Sequence, residues 1–260
     1  MGLILCETRI ADNPYYISEL GIRIHTLEEL AYFIFNYPYL SLDNFAGDRL
    51  VQFLNEELKL PVKDGTEDEI LLNILYLSDY YSYDEIDLYK NKAAEIRSLK
   101  KHEFLYAKGD FLLSIEKYGK AELCFRNALK ESEYYNAEDT FKSRVLKKRG
   151  CCFANMFDFE SAFQSFKDSL AITDDIETLK YIYFLSKFES NIQKKTEYLE
   201  YLDDRVNAEW DKEFEETVSE SVNCEKIIAT EKKLNTDSVK RHKFLEFMIA
   251  DLKSDYRTKL

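Results

Sequence analysis

Two stretches decide the fold: residues 105–128, LYAKGDFLLSIEKYGKAELCFRNA, and residues 146–169, LKKRGCCFANMFDFESAFQSFKDS. They superimpose at an offset of 41. Leu105, Gly109, Leu112, Tyr118, Ala121, Phe125 and Ala128 become Leu146, Gly150, Phe153, Phe159, Ala162, Phe166 and Ser169. Five of the seven pairs match closely in type or identity. Self-similarity at such a period marks a repeat architecture, in which each unit is one supersecondary element that stacks on its neighbours. A glycine inside a helix costs about 1 kcal/mol relative to alanine, so its return at one register points to close packing. The predicted unit is a helix, a short turn and an antiparallel second helix. Gly109 and Gly150 in the first helices, with Ala121 and Ala162 in the second, let the backbones approach, and Phe125 and Phe166 fill the space beside the crossing.

Around this repeat the chain reads as helical. Among 260 residues, 45% are hydrophobic, 15% aromatic and 33% charged, with 7 Gly and 3 Pro. That is enough apolar surface for a continuous core, and the scarcity of Gly and Pro predicts long helices with few turns. Thr26-x-x-Glu29, Thr66-x-x-Glu69 and Ser82-x-x-Glu85 are capping boxes ahead of apolar runs. Pro38 stops the first helix, and a second is expected over about 45–58. No breaker lies between Ser82 and Gly119, so 84–116 reads as one long or gently kinked helix. An aromatic-rich helix covers 176–190. Leu199, Leu202, Val206, Trp210, Phe214 and Val218 then step at threes and fours along a long charged helix, and Asn235-Thr236-Asp237 caps a last one. Residues 1–25 are the least helical. Leu3-Ile4-Leu5 and Ile22-Arg23-Ile24, separated by Ala11-Asp12-Asn13-Pro14, allow a small β-hairpin. The expectation is therefore an all-α protein of stacked antiparallel helix pairs with a short N-terminal hairpin. Its segments are 1–65, a repeat region 66–190, and long C-terminal helices 191–260 that pack on or cap the repeats. Packing against the rest of the chain is the simpler use of the two C-terminal stripes, because they hold no clean heptad; a homodimer seam is the alternative.

The repeat positions resemble those of the tetratricopeptide repeat family, at its small-large-Gly and Ala-Phe-Ala sites, over about residues 102–175. The chain departs from that pattern where the family's closing Pro would stand, near Glu133 and Asp174. It departs again at the Trp and second Leu sites, which are Leu105 and Leu146, and Lys108 and Arg149. The connection is stretched by residues 131–139. The resemblance implies a protein-interaction scaffold or adaptor whose first helices line a concave groove. Carried over position by position, the groove residues are Glu103, Tyr106, Asp110, Leu113 and Ser114 in the first unit, and Arg144, Lys147, Lys148, Cys151 and Asn155 in the second.

Charge sharpens this expectation. The net charge of −13 argues against a nucleic-acid partner, since such binding rests on neutralising phosphates. Yet residues 141–150 hold Lys142, Arg144, Lys147, Lys148 and Arg149 with no acid among them. On a helix, Arg144, Lys147, Lys148 and Cys151 fall within an arc of about 100°. Such a wall suits a carboxylate, in an acidic segment or at a chain's C-terminus. The simpler reading is that these cations balance the acidic connector 131–139 or the acidic first hundred residues. A peptide-responsive regulator that signals through its terminal helices is the alternative function.

Nothing asks for catalysis or a cofactor. His25, His102 and His242 stand in no metal-ligand spacing, and no phosphate-cradling, dinucleotide or nucleophile-elbow motif occurs. Lys240-Arg241-His242-Lys243 reads as a solvated helix face. The five cysteines form no C-x-x-C pair, which fits a reduced compartment. No run of about 18 apolar residues predicts a membrane span. Met1-Gly2-Leu3-Ile4-Leu5-Cys6 lacks the features of a signal peptide, and Cys6 stands where a myristoylation signal wants Ser or Thr. A cytoplasmic protein with a protein or peptide partner is expected.

Overall fold

The computed structural model describes residues 9–62, 65–193 and 204–259. The protein is helical apart from one two-stranded antiparallel hairpin near its N-terminus, in agreement with the expected fold class. It divides into two compact units, Met1–Ile115 and Glu116–Leu260. That division falls neither at 65/66 nor at 190/191, the segment boundaries read from the sequence.

In the first unit the hairpin joins β1 (Tyr15–Ile17) to β2 (Ile22–Ile24), with Tyr15 opposite Ile24 and Ile17 opposite Ile22. Its first strand is Tyr15–Ile17; Leu3-Ile4-Leu5 lies outside the described residues. Gly21 takes the left-handed conformation the tight connection needs (φ 71°). The helices follow as α1 (Leu27–Asn36), α2 (Pro38–Ser41), α3 (Asp48–Gln52), α4 (Glu67–Leu77), α5 (Tyr83–Ser98) and α6 (Lys101–Ser114). All three capping boxes form, each Ser or Thr oxygen accepting from the N3 backbone N–H while the N3 carboxylate reaches back. Leu27, Leu30, Phe33, Ile34, Leu50, Leu54, Leu71, Ile74 and Leu75 make a fully buried core.

Two local expectations need correction, and a third gains a second role. The stretch 45–58 is not uniform α-helix: after α3 it widens into a π-helical turn over Phe53–Glu57, with Leu58 N–H bonding the Phe53 carbonyl. Pro38 ends α1 but also opens α2, where its fixed φ and missing N–H cost nothing. The stretch 84–116 is two helices. Leu99 is extended (φ −67°, ψ 140°), and the Glu103 carboxylate accepts the Lys100 backbone N–H at 2.9 Å, so α6 gains its own start without Gly or Pro.

The second unit comprises α7 (Tyr118–Tyr134), α8 (Asp139–Asn155), α9 (Phe159–Leu170), α10 (Ile176–Phe188), the short α11 (Ser190–Gln193), α12 (Asp204–Val222), α13 (Glu225–Leu234) and α14 (Ser238–Lys259). Part of the stretched connection 131–139 is helix, because α7 continues to Tyr134, with Ser132 buried, and α8 begins at Asp139. Leu199 and Leu202 lie outside the described residues.

The 41-residue offset is written into the backbone as well as the side chains. α6 ends at Ser114 and α8 at Asn155; α7 begins at Tyr118 and α9 at Phe159. Between them, Glu116 and Phe157 are both left-handed (φ 62° and 61°), and the next residues, Lys117 and Asp158, share one conformation (φ −91°, ψ 63° and φ −88°, ψ 73°). The first repeat straddles the two units, α6 closing one and α7 opening the other. Gly109, Ala121 and Phe125 are all buried.

In the second repeat the reason for the small residues is visible. A Cβ on Gly150 would lie 2.6 Å from Cδ1 and 2.9 Å from Cζ of Phe166, inside the ring's van der Waals envelope. Ala162 and Phe166 stand in one core with Phe163, Ile182, Leu185 and Ile192. Ser169, where the first repeat has Ala128, donates its hydroxyl to the Ser143 carbonyl at 2.9 Å, a second clasp between α8 and α9. Because the Phe166 ring lies across the glycine, Gly150→Ala is expected to lose about 1–3 kcal/mol to overpacking, despite alanine's better helix propensity. Urea denaturation measures it. A stabilised variant would mean that the contact does not constrain the pair.

Candidate functional site

One face of the second unit is built by α8, α9 and α10. Cys151, Ala154 and Asn155 from α8, Phe166 from α9, and Tyr181, Phe184, Leu185 and Phe188 from α10 surround a cavity of about 410 Å³. Its lip carries Phe157, 75% exposed, and Phe188, 63% exposed. Aromatic side chains arrive on one face of α10 because Tyr181, Phe184 and Phe188 step by three and four residues. Phe166 lies against Tyr181 at 5.4 Å between ring centroids, and Phe159 stacks on Phe188 at 6.0 Å.

The predicted groove residues are distributed as follows. Tyr106, Asp110 and Leu113 are half-buried on α6, in the first unit. Arg144, Lys147, Lys148, Cys151 and Asn155 are on α8, and of these Cys151 and Asn155 line the cavity. Asn155 donates its amide to the Cys151 carbonyl at 2.8 Å. Burial pushes the Cys151 thiol up to about 11 and Cys152 higher still, so neither is a thiolate at neutral pH.

The basic helix meets carboxylates from three directions. Lys147 Nζ reaches Asp175 at 3.0 Å and Glu177 at 2.8 Å, both at the N-terminus of α10. Arg149 pairs with Glu122 of α7 at 2.8 Å, and its guanidinium lies 5.2 Å from the Phe153 ring centroid. Lys142 pairs with Asp139 at 3.2 Å, and Arg144 lies 5.9 Å from the Phe141 ring centroid. Of these acids only Asp139 belongs to the connector. Burial alone would lower the Lys147 ammonium, but the bonds it donates to Glu177 and Asp175 outweigh that and hold its pKa up. Burial would raise Asp175, yet its bonds from Thr178 and Lys147 leave it lowered; Glu177 is lowered chiefly by Lys147.

Residues that the sequence reading left out of the site are Phe157, Tyr181, Phe184 and Phe188. Their signal was the aromatic spacing of 181–188, together with a bulky residue at the turn position where Gly or Asn is favoured. Among the described residues no cluster of three or more His, Cys, Asp or Glu is placed to hold a metal ion, and no helix is long and apolar enough to cross a membrane.

No protein-family model and no curated protein sequence matches the chain. Among solved structures, the N-terminal domain of stress-induced protein-1 (STI-1) from C. elegans is similar over 44% of this chain and 88% of that one, at 19% identity and a TM-score of 0.33. The fold described above rests on its own packing and not on this superposition.

The Lys147 pairs make a pH prediction. The depressed carboxylates contribute stability above their unfolded-state values, and that contribution is lost as pH falls through the folded ones; the raised Lys147 loses its share only in strong alkali. Urea midpoints should therefore show Lys147→Met destabilised at pH 6 and converging on wild type toward pH 3. A gap that does not change with pH would remove the ion pair from the account.

Proposed function

We propose that this chain is a non-enzymatic interaction scaffold that holds a segment of another protein along the α8–α10 face. The observation that carries the reading is the aromatic cavity of about 410 Å³, open to solvent and lined from α8, α9 and α10. It falls within the range of about 300–1,000 Å³ usual for ligand-holding clefts, and aromatic side chains dominate the energetics of such sites. Apolar side chains of the segment enter between Tyr181, Phe184 and Phe188, while Asn155 offers an amide to its backbone. An acidic residue or terminal carboxylate of the segment lies toward Lys148 and Arg144, about two and three turns before Asn155 on α8. Lys147 is engaged by Asp175 and Glu177, and serves such a carboxylate only by exchanging partners.

A second reading, a peptide-responsive regulator, is favoured by the way α12 packs. Phe184 and Phe188 lie 6.0 and 5.4 Å from Phe214, and Tyr183 lies 5.4 Å from Trp210. Lys187 and Tyr183 both bond Asp211 at 2.6 Å. A ligand that turns Phe184 or Phe188 therefore pushes on the helix leading to α13 and α14, where a homodimer would form in this reading.

The test compares full-length baits on the native partner. Phe184→Asp should reduce partner capture at least tenfold while leaving the far-ultraviolet helical signal unchanged. Lys147→Glu with Lys148→Glu should reduce it if a carboxylate is read, and leave it intact if the basic helix only balances internal acids. Undiminished capture by Phe184→Asp contradicts the scaffold face. Trp210 is the single tryptophan and is 6% exposed, so its emission reports on α12. A shift on binding, with a change in mass by light scattering, supports the regulator; a silent Trp210 opposes it.

A further inference from the structure

A second cleft stands at the other side of the α8–α9 turn. It measures about 750 Å³ and lies between Tyr118, Met156 and Phe157 on one wall and Ile249, Leu252 and Tyr256 of α14 on the other. Asn155 and Phe157 border both this cleft and the groove.

α14 is tied down by its polar end, not by its apolar stripe. Lys117 Nζ donates to the Thr258 carbonyl at 2.8 Å, and Lys259 bonds Glu116 at 2.9 Å and Asp255 at 3.3 Å. A cation on the last carbonyls of a helix is the favourable arrangement for its dipole. Ile249, Leu252 and Tyr256 remain 47%, 58% and 47% exposed. At 100° per residue they occupy an arc of about 60° and run about 10 Å along the axis. A straight stripe of this kind is matched by the i, i+3/i+4, i+7 ridge of another helix.

The cations choose the occupant's charge. Lys253 and Arg257 follow one edge of the stripe, about 40° and 80° beyond Ile249. Neither makes an ion pair among the described residues, whereas Asp255 on the opposite edge is already held by Lys259. Phe157 supplies the anchor. A left-handed L-residue costs about 1–2 kcal/mol, and here that strain holds an aromatic ring out at the cleft.

We propose that this cleft is a second docking site, and that it takes an amphipathic helix of a partner protein with an apolar ridge and acidic residues along one flank. The probe is a fluorescein-labelled 16-residue helical peptide with leucines at i, i+3, i+7 and glutamates on one flank, titrated with the full chain by anisotropy. Saturable binding is expected. Leu252→Asp and Phe157→Asn should each weaken it at least tenfold, and Phe157→Asn should melt no lower than wild type, since Asn tolerates the left-handed turn. Lys253→Glu with Arg257→Glu should weaken the acidic peptide about fivefold and favour its lysine-flanked counterpart. Phe184→Asp, which lines the α8–α10 cavity but not this cleft, should leave binding unchanged, so this site and the α8–α10 face stand or fall separately. The proposal is overturned by no saturable binding, by variants that all bind alike, by loss in Phe184→Asp, or by dodecanoate binding there when the peptide does not.

Discussion

The contact between Gly150 and the Phe166 ring is the constraint on which the second unit depends. A single methyl group at 150 would occupy space the ring already fills. Because the two helices approach there, Phe166 lies both over Gly150 of α8 and against Tyr181 of α10, and an aromatic face forms between α8 and α10. The cavity is thus a consequence of where the glycine sits, next to the Cys151–Asn155 face of α8. Polar clasps then set the register: the Ser143–Ser169 bonds at one end of the pair, and Lys147 across to Asp175 and Glu177.

The charge pattern of α8 has a structural meaning that differs from its appearance as a sequence. Five cations in ten residues look like an exposed wall, but Arg149 turns to Glu122, Lys147 to the start of α10, and Lys142 to Asp139. The first two span neighbouring helices and are partly shielded, so they orient the stack more than they stabilise it, while Lys142 and Asp139 pair within α8 itself. What remains for a ligand is chiefly aromatic surface. The left-handed turn residue has also been used differently in the two repeats: Glu116 secures the end of α14, while Phe157 lines both cavities.

Much of the fold could be read from local chemistry. Three capping boxes announced their helices, the Asn235–Asp237 break placed α14 with Asp237 accepting the Lys240 N–H, and the repeat register predicted which small residues would be buried. The features that escaped are those with no local signal. Leu99 breaks a helix through an extended backbone and the Lys100–Glu103 bond alone, and the π-helical turn at Phe53–Glu57 has no breaker either. Partners such as Glu122 for Arg149, 27 residues apart, are set by tertiary stacking. The site suffered most from this. The cations drew attention because charge is conspicuous in a sequence, whereas the α10 aromatics look like ordinary core until the helix is placed.

The most direct measurement is a double-mutant cycle on the helix crossing, combining Gly150→Ala with Phe166→Leu and following unfolding free energy in urea. If the ring and the glycine meet as described, trimming the ring relieves the added methyl, and the double variant is more stable than the two single losses predict by about 1 kcal/mol or more. Strict additivity would mean that these side chains do not share the space between α8 and α9, and the groove built on that crossing would lose its foundation.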